Sequence, residues 1–273
     1  MEGLVQPVGY HTAMRHDDAI EGIRDAEDVE DAILTLFGET PMGTGIIHPT
    51  AVWQGPMDCL VTLATGESMP RCGHDAFVLG LARARADVII TTGRVLRHEP
   101  TLDHRLPGEV LGEALLDWRL RRLGKERPPA TVILSSGREL DLDHPVFRHW
   151  TRPMVYTSRE GQWILESRAA DHGVEVIAAD QPSIQGAVEA VRRELGAATI
   201  DLEAGPGVAS ELYNSGAVDE LLLSTYEAPR LDAQAEGPLF LAASEVSSYF
   251  GDPVGETQVE AANGPWRLRR YCR

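Results

Sequence analysis

Gly205, Pro206 and Gly207 stand between an apolar stretch, Thr199-Ile200-Asp201-Leu202, and a segment of helical character, Val208 to Leu212. Glycine lets a backbone come close to a partner, and proline suits the first turn of a helix. A strand, a tight turn and a helix in that order leave N–H groups at the helix start, where the dipole also favours negative charge. The chemistry on offer is anion binding, and a cofactor phosphate is the natural occupant. Turn residues alone favour a plainer reading, an ordinary strand-to-helix connection. A second candidate edge is Thr91-Thr92-Gly93, at the end of the apolar run Val88-Ile89-Ile90. Ligands of open α/β sheets sit at the carboxyl ends of strands, and Gly93 permits close approach there.

The elements that must position these residues alternate along the chain. Strands are expected at Cys59 to Ala64, Val88 to Thr92, Thr131 to Ser135, Met154 to Thr157, Val174 to Ala178, Ile200 to Glu203, Leu221 to Tyr226 and Trp266 to Cys272. Helices are expected at Asp75 to Ala86, Leu165 to Asp171 and Ile184 to Leu195, with Leu111 to Leu123 a helix or a loop insert. Such alternation predicts a largely parallel sheet covered by helices. Asp17 to Asp31 is acidic with helical spacing, Ala32 to Phe37 continues apolar, Gly38 stops the run, and Pro41 to Pro49 is rich in Gly and Pro. Residues 1–55 therefore read as an acidic N-terminal extension packed on a main domain of 56–273.

Composition narrows the classes. The 273 residues are 43% hydrophobic and 25% charged, enough for a real core. A net charge of −17 argues against nucleic-acid or acidic-membrane partners, although a few local arginines suffice for a phosphorylated ligand. Lys125 is the only lysine, so a Schiff base could form nowhere else. Three cysteines make no disulfide framework, and with no signal-peptide pattern or membrane span the expectation is cytoplasmic. Cys59 with Cys72-Gly73-His74 lacks metal-ligand spacing, so no metal is expected; Asp103-His104, His144 and His149 read as loop residues. No dinucleotide fingerprint, P-loop or nucleophile elbow occurs.

Two blocks carry a family resemblance. L-E-A-G-P-G-V-A followed by G-A-V-D-E-L, at 202–221, resembles the V-E-G-G-P-T-L-A…G-L-V-D-E-L segment of the riboflavin-pathway pyrimidine reductase domain. A-D-V-I-I-T-T-G-R-V-L-R-H-E-P-T-L, at 86–102, is similar to that family's A-D-A-I-L-V-G-x-x-T-V-x-x-D-D-P-x-L. The resemblance implies a dihydrofolate-reductase-like α/β fold with a mostly parallel central sheet flanked by helices. It implies NADPH and a small phosphorylated heterocycle of the 5-amino-6-(5-phosphoribosylamino)uracil type, reduced at the sugar carbon. It further implies that Ser68, Arg83, Arg105 and Glu203 bind substrate, the two arginines gripping its phosphate. Thr92, Gly93, Arg94, His98, Leu102, Ser136, Gly205, Pro206, Gly207, Val208 and Ala209 are the implied cofactor contacts. A homodimer is implied, and no catalytic side chain is.

The chain also departs from the family pattern. Its first strand runs directly into Leu63-Ala64-Thr65-Gly66-Glu67-Ser68, without S-L-D-G. Met69-Pro70 replaces a Trp near the Ser, His98-Glu99 replaces Asp-Asp, Arg94 replaces a Thr, and Gly207 replaces a Thr. Neither H-x-E nor P-C-x-x-C of the zinc deaminase domain in two-function members occurs. Two alternatives stay open at this level: reduction of a pterin or folate-like ring, and a catalytically silent ligand-binding relative on the same fold.

Overall fold

In the computed structural model the described residues are 14–15, 20, 22–63, 70–148, 150–228 and 237–273. Their strands are β1 (Met14–Arg15), β2 (Gly45–Gln54), β3 (Cys59–Thr62), β4 (Val88–Thr92), β5 (Ala130–Leu134), β6 (Pro153–Ser158), β7 (Glu175–Ala179), β8 (Thr199–Glu203), β9 (Val218–Tyr226), β10 (Leu239–Ala242), β11 (Gly255–Ala261) and β12 (Gly264–Cys272). The α-helices are α1 (Ala26–Phe37), α2 (Gly73–Arg85), α3 (Gly93–His98), α4 (Glu109–Leu123), α5 (Arg159–Asp171), α6 (Ile184–Leu195), α7 (Pro206–Asn214) and α8 (Ala243–Phe250). All these strands join one sheet in the order β1-β11-β12-β9-β2-β8-β4-β5-β6-β7, with β3 pairing β2 and β10 off the path. From β9 to β7 every neighbour is parallel, and β12 and β11 add an antiparallel flank. The expected α/β architecture is therefore present. Among the described residues no helix is long and apolar enough to cross a membrane.

Local sequence explains the elements. β4 is buried along its whole length, as a parallel strand covered on both faces requires. Asp25 caps α1 by accepting from Glu27 N and Asp28 N, and Gly38 closes it in the left-handed conformation. Ser183 and Gly196 frame α6 in the same way. One core lies under α6, α7 and α8, and a second lies between α1, α2 and α4 and the opposite sheet face.

Strand order sets the place of the site. The chain leaves β4 through β5, β6 and β7 on one side, and returns as β8 on the other side of β4. The order thus reverses between β4 and β8, where carboxyl ends of strands open a crevice. Thr92 leads into α3 and Glu203 leads through Ala204-Gly205 into α7, so both candidate edges flank it.

The structure departs from the sequence reading at several elements. Residues 45–54, within the stretch read as extension, form β2, which is hydrogen-bonded between β8 and β9. Its Pro49 carries no N–H and masked the strand pattern. Of the helix expected at Asp17–Asp31, Ile20 is helical, residues 22–25 are not, and a helix runs from Ala26 through Phe37; residues 16–19 and 21 lie outside the described residues. Leu111–Leu123 is helical from Glu109, and β10, α8 and β11 escaped the sequence reading.

Gly45 is held at φ 120°, and a methyl group there would stand 2.2 Å from Oδ2 of Asp219, which accepts a hydrogen bond from Ile46 N. Gly45→Ala combines strain with a clash and is expected to destabilise by about 3 kcal/mol in urea unfolding.

Candidate active site

Helix α2 places the charges. It buries Phe77, Val78, Leu81 and Ala84 and, among them, Arg83 and Arg85. Each buried guanidinium meets a carboxylate on a strand beneath. Arg85 forks onto Glu220 of β9 (Nη1–Oε1 2.9 Å, Nη2–Oε2 2.6 Å), and Arg270 of β12 donates to the same Oε1 at 2.7 Å. Arg83 forks onto Glu203 at the carboxyl end of β8, with Nε–Oε1 2.6 Å and Nη2–Oε2 2.8 Å. Its Nη1 donates to the carbonyl of Arg105 at 2.6 Å. Two parallel N–H···O bonds of this kind fix both position and orientation.

A polar cluster surrounds Glu203. Asp201, two residues earlier on the same strand face, is wholly buried, and its carboxyl accepts no hydrogen bond from any described residue. His104 is also wholly buried, with Nδ1 3.1 Å from Thr131 Oγ1 and Nε2 3.6 Å from Oε2 of Glu203. Thr91 Oγ1 donates to the Glu203 carbonyl at 2.8 Å. Burial alone would raise the Glu203 carboxyl pKa. The charge of Arg83 first, with hydrogen bonds from Arg83 and Asp201, outweighs burial and holds it well below the usual carboxylate range. Burial first, then the charge of Glu203, raises Asp201 well above that range, against a weaker pull from Arg83 and Arg85. Burial lowers His104 to about 4, so its ring is neutral at pH 7.

The Gly-Pro turn lies at the same edge. Gly205 has φ −63°, and added Cβ atoms at Gly205 or Gly207 would meet nothing within 4 Å. Neither backbone strain nor packing demands glycine there; both open a space at the start of α7. Val208 N and Ala209 N donate to the Gly205 carbonyl, whereas Gly207 N makes no bond to a described residue. These features fit a phosphate held against the turn. His48 of β2 braces it from below: the buried ring bonds the Ala204 backbone and lies 2.8 Å from the Tyr213 hydroxyl on α7. Burial lowers His48 to about 4 as well.

Across the crevice, Thr92 caps α3 by accepting from Val95 N. Gly93 is buried so tightly that a Cβ would lie 2.9 Å from Ser135 Oγ. Arg94, His98 and Ser136 are exposed, while Leu102 is half-buried against the core of β5, β6 and α5. Arg105 is 56% exposed and pairs with Asp103 at 3.1 Å. Ser68 lies outside the described residues, as does the segment where S-L-D-G is missing.

One sequence expectation changes. Arg83 was expected to grip substrate phosphate beside Arg105, but its donors are turned to Glu203 and the Arg105 carbonyl, because a buried cation takes the buried anion facing it. Asp103-His104 lies in a loop, as the sequence implies, and that loop carries His104 into the cluster. Asp201, His48 and Thr131 were missed; a lone Asp in an otherwise apolar strand was the available signal. Among the described residues no group of three or more His, Cys, Asp or Glu side chains could hold a metal ion.

Arg83→Met leaves Glu203 buried without its cation and is expected to cost about 3–5 kcal/mol in urea unfolding, with Arg83→Lys restoring only part of it. His104 is neutral when folded and protonates below about 6.5 when unfolded, so its contribution is lost as pH falls from about 6.5 towards 4. His104→Asn is expected to remove about 3 kcal/mol of stability change across that window, read from urea unfolding at several pH values. Asp75, which burial raises to about 6, and Asp201 act in the opposite sense and are common to both proteins.

The fold and the crevice can be set beside known proteins. The family described as RibD C-terminal domain matches residues 53–231. No curated protein sequence matches the chain. A pyrimidine reductase-like protein from Corynebacterium diphtheriae superposes with TM-score 0.59 at 22% identity, covering 88% of this chain and 98% of that one. A Thermotoga maritima protein described as a diaminohydroxyphosphoribosylaminopyrimidine deaminase/5-amino-6-(5-phosphoribosylamino)uracil reductase superposes with TM-score 0.53 at 18% identity, over 85% of this chain and 57% of that one. A riboflavin biosynthesis reductase of Saccharomyces cerevisiae gives TM-score 0.50 at 12% identity, over 90% of this chain and 100% of that one. These likenesses are of fold. With more than half of its length matched by the family itself, the chain belongs to the RibD C-terminal domain family.

Proposed function

We propose that this chain is an NADPH-dependent pyrimidine reductase of the riboflavin type, acting on a 5-amino-6-(5-phosphoribosylamino)uracil-like compound. Membership of the family supports an enzyme of the pyrimidine reductase kind. The observation that carries the reading to the crevice is the open space at Gly205 and Gly207, beside a Glu203 carboxylate fixed by Arg83.

In this reading Gly205, Pro206, Gly207, Val208 and Ala209 hold a cofactor phosphate at the α7 N-terminus, with Thr92, Gly93 and Leu102 on the facing edge. Arg94, His98 and Ser136 line the outer part. Bound reduced nicotinamide supplies a hydride, and the protein supplies position and charge. Arg105, exposed and within the bridge to Asp103, swings to the substrate phosphate. Arg83 serves that contact from behind, by holding the Arg105 backbone. Glu203 accepts from polar edges of the heterocycle, and Ser68 adds a hydroxyl. The protein works as a homodimer in the cytoplasm.

A fluorescence titration with NADPH, and NADH alongside, tests this reading first. Saturable NADPH-selective binding supports it; no binding at millimolar cofactor by folded protein overturns it. Gly205→Val should weaken NADPH binding at least about tenfold while lowering urea stability by only about 1 kcal/mol, the cost of valine at the α7 N-cap, since its side chain meets no packed neighbour. Arg105→Ala should raise KM for the phosphorylated substrate about tenfold or more, with kcat changed less, as expected for loss of a charge-assisted ground-state contact.

A further inference from the structure

Asp201 has no part in holding either ligand in that reading, yet it is a carboxyl fully buried in the sheet with no described donor facing it. It lies in the middle of β8, between Ile47 of β2 and Ile89 of β4 in register. It is wholly buried, and no described donor reaches it. Four titratable groups stand around this cluster: Glu203 on its own strand, Arg83 and Arg85 on α2, and His104 beside Glu203. Neither cation is turned to Asp201. Arg83 gives its fork to Glu203 and the Arg105 carbonyl, and Arg85 gives its own to Glu220 and the Gly43 carbonyl. A bare carboxylate in this place would be an unpaired buried charge.

A proton resolves the position. The neutral Asp201 carboxyl then has one donor, and the Glu203 carboxylate is the acceptor it bonds. Glu203 in turn is not sealed: its side chain keeps 11% exposure at the carboxyl end of β8. Two carboxyl groups thus share one proton, one member in the core and one at the floor of the crevice. Environments that push two acids apart in this way separate the proton holder from the charged partner.

We propose that Asp201 stores the proton that reduction of a C=N bond consumes, and delivers it to the crevice through Glu203. This rests on the reductase reading above. A reduced nicotinamide gives hydride, forming a C–H bond at the imine carbon, while the π pair of the C=N bond moves to nitrogen. Glu203 takes the proton held by Asp201 and passes it to that nitrogen. An N–H bond forms, the imine carbon is reduced and the nicotinamide oxidised. Asp201 is left as a carboxylate until a proton from water returns through Glu203. Asp201 works only through Glu203, so it is a positioned reservoir and touches no substrate.

Asp201→Asn separates storage from scaffolding, because the amide keeps the hydrogen bond to Glu203 but releases no proton. Turnover of the variant should fall about 100-fold or more, the usual contribution of a positioned acid. NADPH affinity by titration should stay within about twofold, as its contacts are elsewhere. Wild-type turnover by the variant overturns the proposal. A second measurement needs neither substrate nor variant. Carbon-13 NMR of protein with labelled aspartate carboxyls should show, besides Asp75 near 6, a second Asp that stays protonated well above the ordinary carboxylate range. Absence of that signal overturns the store even if the variant fails to fold. A wild type that binds NADPH yet reduces no such imine, with the NMR signal present, overturns the reductase reading and with it the delivery step, while locating the stored proton.

Discussion

The site depends on a charge that cannot leave. Helix α2 buries Arg83 in an apolar layer, and a buried guanidinium must be paired and hydrogen-bonded or the helix does not dock. Glu203 meets it with both oxygens, and the Arg105 carbonyl takes the remaining donor. One side chain therefore ties together α2, the last residue of β8 and the loop that carries Arg105. Arg85 repeats the arrangement two residues later on Glu220, tying α2 to β9 and, through Arg270, to β12. The two pairs differ in what lies around them. Glu220 is enclosed by two cations, whereas Glu203 has one cation and a neighbouring acid.

That difference decides electrostatics. Around Glu203 there is more acid than base, so a proton has to remain on one carboxyl, and the more deeply buried Asp201 is the one that keeps it. The two histidines nearby, His48 and His104, are neutral for the same reason, since burial penalises their cations. The crevice floor is thus a fixed carboxylate set among uncharged groups. The turn above it is the opposite case. Gly205 and Gly207 give up side-chain packing and leave open space next to a helix N-terminus braced by His48 and Tyr213. Rigid charge below and vacant, dipole-bearing backbone above are the two halves that the proposed cofactor and substrate would use.

Much of this was legible residue by residue. The strand at 88–92, the helix at 184–195 and the strand–turn–helix at 199–214 follow from apolar runs bounded by caps and turn residues. The family was legible in two blocks that keep their order, and the match over 53–231 agrees with it. β2 was not legible, because Pro49 and the glycines before it imitate a loop when read locally. What makes 45–54 a strand is the pairing offered by β8 and β9, which arrive more than 150 residues later. The place of His104 in the site was not legible for a related reason: an isolated histidine in a loop has no periodic signal, and only the path of that loop brings it to Glu203.

The sequence by itself determined the alternation of elements, the Gly-Pro turn and the residue types available for chemistry, because propensity, capping and hydrophobic spacing act over a few neighbouring residues. The tertiary structure alone decided which charges face one another. Arg83 and Glu203 lie 120 positions apart. Whether such an arginine reaches into solvent for a phosphate or turns inward to a carboxylate is settled by burial, since desolvation makes an unpaired charge intolerable and gives the nearest buried counter-charge first claim on it.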